Sequence, residues 1–288
     1  MGTAAPDWRR WPATAADPQA TVDERNRAFW DELCGTITAQ TLGITEITPA
    51  SLARFDDWYM AYYPYLGPYL DGLHVEGRRV LEIGLGFGTV GQALAARGAR
   101  YTGADIAAGP VAMMRDRLRW LGRGDEAKAV QVSALELPWE DGSFDVVVSI
   151  GCLHHTGDLP RAISEVHRVL VPSGDALVML YNAHSFRQLV QAPRRRLQGL
   201  LAGQSSAERV RAMYDQNTSG EAAPHTDYVS RRDVRRLFGG FSSVSIDAQN
   251  FTVRARHVRG RRVTISRERL LGNVARVLGL DLYIQARK

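Results

Sequence analysis

The stretch Val80–Ile106, VLEIGLGFGTVGQALAARGARYTGADI, decides how this chain is read. A short apolar run ends at Ile83, and glycines follow at Gly84, Gly86 and Gly88. A helical segment follows, and a second short run ends at Asp105, about twenty residues beyond the turn. This is a strand–turn–helix–strand unit with a glycine-rich first turn, the arrangement that holds nucleotides in open α/β sheets. The spacing is G-x-G-x-G, with Thr89 where the third dinucleotide glycine belongs. No G-K-[S/T] follows, which excludes a P-loop. Glu82 stands two residues before the first glycine, where a phosphate would be repelled. A cationic, phosphate-free ligand suits Glu82 and a close backbone approach through glycine. Asp105 can accept hydrogen bonds from both hydroxyls of a ribose.

The pattern continues outward from this unit. Strands are expected at Val80–Ile83, Arg100–Asp105, Ala129–Val132, Phe144–Ile150, Asp175–Tyr181, Val244–Val253 and Leu282–Ala286. Helices are expected at Thr89–Arg97, Val111–Leu121, Leu159–Leu170, Ser230–Phe238 and Arg267–Leu278. Pro172-Ser173-Gly174 reads as a helix stop and turn. Strands alternating with helices give an α/β, Rossmann-like sheet with helices on both faces. Upstream, one helix is expected over Asp23–Leu42. A second starts behind Thr48, because Thr caps a helix and Pro49 suits its first position. Residues 182–229 are too long for an ordinary connection. The division is a flexible leader (1–22), a helical cap (23–78), a ligand-binding core (79–181), a lid insertion (182–229) and the rest of the core (230–288).

Composition narrows the function classes. The 288 residues are 45% hydrophobic, enough for a sizeable core. No apolar run approaches the roughly 18 residues of a membrane span. The N-terminus lacks the apolar segment of a secretory signal. Cys34 and Cys152 stand in unrelated contexts, which argues against a disulfide framework or metal site and fits a cytoplasmic location. The net charge is +5. Only two lysines, Lys128 and Lys288, stand among the 36 basic residues. Such an arginine bias argues for base composition of a genome more than for a nucleic-acid partner.

The segments VLEIGLGFGTV, GADIA and ALELPWEDGSFDVVVSIGCLHHTGDLPRAISEVHRVLVPSGDALVML resemble the class I S-adenosylmethionine-dependent methyltransferases, in particular the small-molecule group of ubiquinone-biosynthesis type. The resemblance covers residues 79–181, about a third of the chain. It implies a seven-stranded mixed sheet with its last strand antiparallel. It implies S-adenosyl-L-methionine as cofactor, with Gly84, Gly86 and Gly88 along the methionine part, Glu82 near its amino group and Asp105 on the ribose. Ala134 and Leu135 are implied along the adenine. Ile106, Ile150 and Tyr63 complete the expected cofactor set. Ser133 stands where this family often carries Asp. A His of the pair His154–His155 is implied at the methyl acceptor, because it follows the fourth strand at the carboxyl edge and a base near neutral pH is most often histidine.

The remaining expectations concern the acceptor. Of the aromatic segment Phe55–Leu66, Tyr59 or Tyr63 is expected to reach the site, the other rings burying the cap. His225 and Tyr228 are polar candidates for substrate binding. Arg187, Arg194, Arg195 and Arg196 could meet an acidic acceptor, although a charge run usually faces solvent. The expected function is methyl transfer to an O, N or C atom of a small molecule, in biosynthesis of a secondary metabolite or cofactor. Two alternatives stay open. One is an S-adenosylmethionine-binding protein that catalyses a rearrangement or cyclisation without methyl transfer. The other is an RNA or DNA methyltransferase, against which GCLHH stands in place of the [D/N/S]-P-P-[F/Y/W] signature. The aromatic N-terminal segment leaves an oligomer open. No metal ligand set is expected.

Overall fold

A computed structural model describes residues 18–32, 37–124, 127–201, 206–252, 256–258, 261–263 and 267–288. Most of the expected leader, Cys34 and Val253 lie outside the described residues.

The core is a seven-stranded sheet in the order β3-β2-β1-β4-β5-β9-β6. Its strands are β1 (Arg79–Ile83), β2 (Arg100–Asp105), β3 (Lys128–Gln131), β4 (Phe144–Ile150), β5 (Leu170–Tyr181), β6 (Ser243–Gln249) and β9 (Asp281–Arg287). A separate hairpin, β7 (Arg256–Val258) with β8 (Arg261–Val263), was not expected from the sequence. The first five strands run parallel. β9 is antiparallel to β5 and to β6, and it lies between them. The order reverses between β1 and β4, which opens a crevice at their carboxyl ends.

Alternation along each strand sends side chains to two apolar layers. Val80, Val146 and Val148 face Leu94, Met114 and Leu118 on one side, with Leu66 and Leu70 of the N-terminal helices. Leu81, Ile83 and Val147 face Ile163, Val166 and Phe238 on the other. The facing helices are α5 (Thr89–Ala96), α6 (Ala108–Trp120), α7 (Leu159–Val169) and α10 (Arg231–Leu237). The described N-terminal elements are α1 (Gln19–Asp31), α2 (Ile37–Thr41), α3 (Pro49–Tyr62) and α4 (Leu66–Asp71).

Thr48 caps α3 as the sequence predicts: its side chain accepts from the Ser51 N–H, and the Ser51 hydroxyl answers at the Thr48 N–H. This reciprocal cap satisfies two orphan donors. α3 is fastened to the core through Asp56, which takes the Thr89 hydroxyl at 2.6 Å and both terminal nitrogens of Arg117 at 2.8 Å. Arg117 is 1% exposed, and its Nε donates to the Phe87 carbonyl at 2.6 Å.

Four elements differ from the expectation, each for a local reason. The helix expected over Asp23–Leu42 is divided, because Glu32 leaves helical geometry with ψ 80°. β5 starts at Leu170, before Pro172-Ser173-Gly174. Ser173 takes a left-handed φ of 64°, and the register jumps from Phe144↔Leu170 to Val146↔Asp175, so the tripeptide is a bulge inside a strand. β6 stops at Gln249 because Asn250 also turns left-handed, with φ 63°. The last helix is two pieces, α11 (Arg267–Leu270) and α12 (Asn273–Leu278), with the non-helical Gly272 between them.

Residues 182–229 leave the tip of β5 and return beside it. Asn182 and Val229 form a bridge, and the Val229 N–H donates to the Tyr181 carbonyl at 2.9 Å. Between them lie a π-turn (Arg187–Gln191), α8 (Ala192–Leu201) and α9 (Ser206–Arg211). Among the described residues no helix is long and apolar enough to cross a membrane.

Candidate functional site

A cleft opens at the carboxyl ends of β1, β2 and β4, under α1 and α3. Its floor is the glycine turn, whose three glycines have separate duties. Gly84 has φ 85°, and a Cβ there would lie 2.6 Å from the Cys152 Sγ. Gly86, at φ 51°, faces open space: a Cβ there would meet nothing within 4 Å. Gly88 does not line the cleft. It packs on Arg117, whose Cδ would be 2.7 Å from a Cβ at this position. Its small size therefore serves the joint between turn and helix.

Asp105 ends β2 and faces the turn. One oxygen accepts from the Leu85 N–H at 2.8 Å and the other from the Ala107 N–H at 2.9 Å. Burial pushes its pKa up, and those backbone donors pull the other way. Each oxygen keeps lone-pair capacity for a further donor from the cleft. Glu82 also lines the cleft. It is 2% exposed, accepts a hydrogen bond from the Tyr101 hydroxyl, and is pushed up to about 8 by burial. A carboxyl in this state is ready to ionise beside a cation.

Ile106 and Pro110 line the cleft on one side, Val132, Ser133 and Ala134 on another, and Ile150, Gly151 and Cys152 at and just beyond the end of β4. Leu135 does not reach it. Its side chain points into the apolar core with Leu137 and Phe144.

Of the roof, the sequence reading expected Tyr59 but not the residues of α1. Asp23, Asn26 and Trp30 of α1 line the cleft. Asn26 donates to the His155 carbonyl at 2.8 Å and Gln19 to the Thr156 carbonyl at 2.7 Å, so α1 is tied down across the crevice. On α3, Phe55 stacks on Phe87 of the turn at 4.0 Å, and Tyr59 lines the cleft beside it. Tyr63 does not line it. The chain leaves helical geometry at Tyr63, whose ring packs among Tyr59, Tyr62 and Tyr65.

The two histidines occupy a short 3-10 turn, Leu153–His155, and part company there. His155 lines the cleft, with its ring 4.9 Å from that of Trp30. Its Nδ1 lies 2.7 Å from the His225 carbonyl oxygen, and its Nε2 lies 3.6 Å from Asp215 Oδ2. A carbonyl only accepts, so the proton sits on Nδ1 and Nε2 presents its lone pair. Burial holds the pKa of His155 below the ordinary value, against the pull of Asp215. His154 turns away. It is fully buried behind the wall, 4.1 Å from the Tyr181 ring, and burial depresses its pKa strongly.

His225 and Tyr228 stand behind His155, outside the cleft. His225 supplies its carbonyl to His155, and its ring pairs with Asp227 at 3.2 Å. Tyr228 packs against Tyr214 at 5.0 Å. Arg187 stacks 4.7 Å over Tyr214. Arg194 and Arg196 are exposed on α8.

Residues 81–178 match a family model described as a methyltransferase domain. The chain is 36% identical over 107 residues to the ubiquinone biosynthesis O-methyltransferase of Pseudomonas aeruginosa, covering 37% of this chain and 45% of that protein. It is 28% identical over 186 residues to the malonyl-[acyl-carrier protein] O-methyltransferase of Halorhodospira halophila, covering 64% and 55%. The chain thus spans about half the length of these curated relatives. A solved S-adenosylmethionine-dependent methyltransferase of Methanosarcina mazei shares the fold, with a TM-score of 0.52 at 19% identity over 77% of this chain and 97% of that one. The matched stretch, residues 81–178, holds the glycine turn, Asp105 and His155 of the cleft, and it is similar to a methyltransferase domain.

Proposed function

We propose that the whole chain is an enzyme that moves the methyl group of S-adenosylmethionine to a small-molecule acceptor, in the biosynthesis of a secondary metabolite or cofactor. The observation that carries this is the joint position of Glu82, Gly86, Asp105 and His155 on one cleft at the sheet's carboxyl edge. The cofactor fits that donor set. Asp105 would take the ribose hydroxyls, Ala134 and Ile106 the adenine, and the turn at Gly84–Gly86 the methionine part, with Glu82 near its ammonium. The relatives, named for O-methylation in ubiquinone biosynthesis and of a malonyl carrier protein, support a small acceptor.

The bound cofactor supplies an electrophilic methyl group on a leaving sulfur. The chain has to align the acceptor, exclude water and remove a proton where the acceptor carries one. His155 Nε2 is the acceptor of that proton, and Asp215, 3.6 Å away, stabilises the imidazolium that results. α1 and α3 form the roof that keeps water out, and residues 182–229 close the acceptor side as a lid. Replacing His155 by Ala should lower turnover by about 10²–10⁴, the usual share of a general base, with affinity for S-adenosylhomocysteine unchanged. The loss should shrink as pH rises, because solvent then supplies the deprotonated acceptor. A His155→Ala enzyme with wild-type turnover across the pH range would remove His155 from the chemistry.

A further inference from the structure

The outer part of the insertion, residues 186–201, has two sides, and the core covers one of them. The inner side is seated. The Phe186 ring lies 5.4 Å from that of Phe251, Arg187 donates to the Met213 carbonyl at 2.7 Å and stacks on Tyr214, and Ala192 is 1% exposed. The outer side is apolar. Leu189 is 53% exposed, Val190 38% and Leu197 60%. They are three of the six large apolar side chains that stand exposed among the described residues, and all fall between positions 189 and 197. Pro193 is exposed with them. Leu189, Pro193 and Leu197 recur at four-residue spacing and Val190 stands seven before Leu197, so the four share one side of the helical path.

Positive charge frames this stripe. Arg194 and Arg196 are exposed on α8. At about 100° per residue, Arg196 flanks the stripe on one edge and Arg194 on the other. The surrounding sequence carries no opposing charge: no Asp or Glu occurs between Asp175 and Glu208, while Arg187, Arg194, Arg195 and Arg196 do. A contiguous apolar patch with a polar rim on a water-soluble fold marks a surface that something covers.

We propose that this outer side is a docking surface for an anionic phospholipid bilayer, with Leu189, Val190 and Leu197 at the acyl boundary and the arginines among the headgroups. The proposal goes beyond the methyl-transfer reading, in which the same segment closes the acceptor side of the cleft. A helix that lies in a membrane interface buries an apolar side and holds basic residues on its flanks. Arginine extends an apolar stem along the stripe and keeps its charge in the headgroup layer. Other occupants fit less well. A stable protein interface takes about 20–30 residues a side, and this stripe is far shorter. A second copy of the chain would set arginine against arginine. A nucleic acid supplies phosphates and nothing apolar for the leucines.

The test is sedimentation of the full chain with vesicles of phosphatidylcholine alone and of three parts phosphatidylcholine to one part phosphatidylglycerol. The chain should bind the anionic vesicles at least about tenfold more tightly, the scale of two basic side chains at an anionic surface. Binding should fall as salt is raised. Leu189→Ser with Leu197→Ser should lower it at least about tenfold, as expected for two leucines withdrawn from an apolar layer. Arg194→Gln with Arg196→Gln should lower it by a similar factor and flatten the salt dependence. Arg232→Gln with Arg235→Gln, the same charge change at exposed positions of α10, should change it far less. Unchanged thermal unfolding reports that the variants are folded. No binding, equal binding to both vesicles, or a loss with the α10 pair as large as with the α8 arginines would each overturn the proposal. Binding that survives the leucine pair would overturn it too, and would show attraction by the chain's overall charge. A wild-type dimer that the leucine pair dissociates, without vesicle binding, would assign the stripe to a second copy instead. Vesicle binding needs no cofactor, so a failure here leaves the methyl-transfer reading to its own test.

Discussion

Asp105 carries two loads at once. It holds the glycine turn through Leu85 and the start of α6 through Ala107, and it presents free lone pairs to the cleft. Hydrogen bonds to a charged group contribute roughly 1.5–3 kcal/mol. Asp105→Ala should therefore weaken S-adenosylhomocysteine binding about 10- to 100-fold, measured by calorimetry. Unchanged affinity would place the ribose elsewhere. Glu82 gives a prediction with a definite sign. Its pKa is near 8 in the folded chain against an ordinary 4.5. Between those values the native state keeps a proton that the unfolded state releases, so this group's contribution is full below pH 4.5 and is lost as pH rises towards 8. Glu82→Gln removes that loss and can still accept from Tyr101. The ligand-free variant should be more stable than the wild type at pH 8, on the order of 3 kcal/mol, with the difference closing near pH 4. Denaturant titrations at the two pH values measure it, and a difference independent of pH would show that Glu82 is ionised throughout.

At the scale of elements, β1, β2, β4, α5 and α7 were legible because each is a continuous run with its own punctuation. Thr48-Pro49 fixed the start of α3 for the same reason. Pro172-Ser173-Gly174 misled, since the same residues that stop a helix also make a bulge when a neighbouring strand supplies the pairing. The cleft lining was legible where one strand–turn–helix–strand unit builds it, as with Gly84, Gly86 and Asp105. It was not where distant elements meet. Nothing local in α1 announces that Asn26 and Trp30 roof the cleft, and Asp215 comes to His155 from sixty residues away. Adjacent histidines point apart in a 3-10 turn, His154 onto the Tyr181 ring and His155 into the cleft lining, an outcome of packing with distant residues. The insertion carries its own prediction. Its return, residues 215–229, is laced to the core: the Asp227 N–H donates to the His154 carbonyl at 2.7 Å and Val229 is paired with Tyr181. Its outer part exposes Leu189, Val190 and Leu197. Hydrogen exchange on the ligand-free protein should find 187–201 exchanging much faster than 222–229. The outer part should gain protection when cofactor and acceptor bind. Core-level protection of 187–201 without ligands would count against a lid.

On the scale of the whole molecule, the sheet and its N-terminal roof act as one binding body. Asp56 and Arg117 bind α3 to the turn, and Asn26 and Gln19 bind α1 to the loop after β4. The cleft is thereby held between them, with Tyr59 of α3 and His155 of that loop in its lining. The account stands on one claim, that this body transfers a methyl group and does not merely hold its donor. The direct measurement incubates the protein with S-adenosylmethionine labelled in the methyl group and a pool of small phenols, alcohols, carboxylic acids and amines, then resolves the products by mass spectrometry. The account predicts S-adenosylhomocysteine in equal amount to a product heavier by one labelled methyl group, with both signals reduced together in Asp105→Ala at limiting S-adenosylmethionine. An acceptor converted without labelled methyl and without S-adenosylhomocysteine would contradict it, and the bound sulfonium would then be a passive charge.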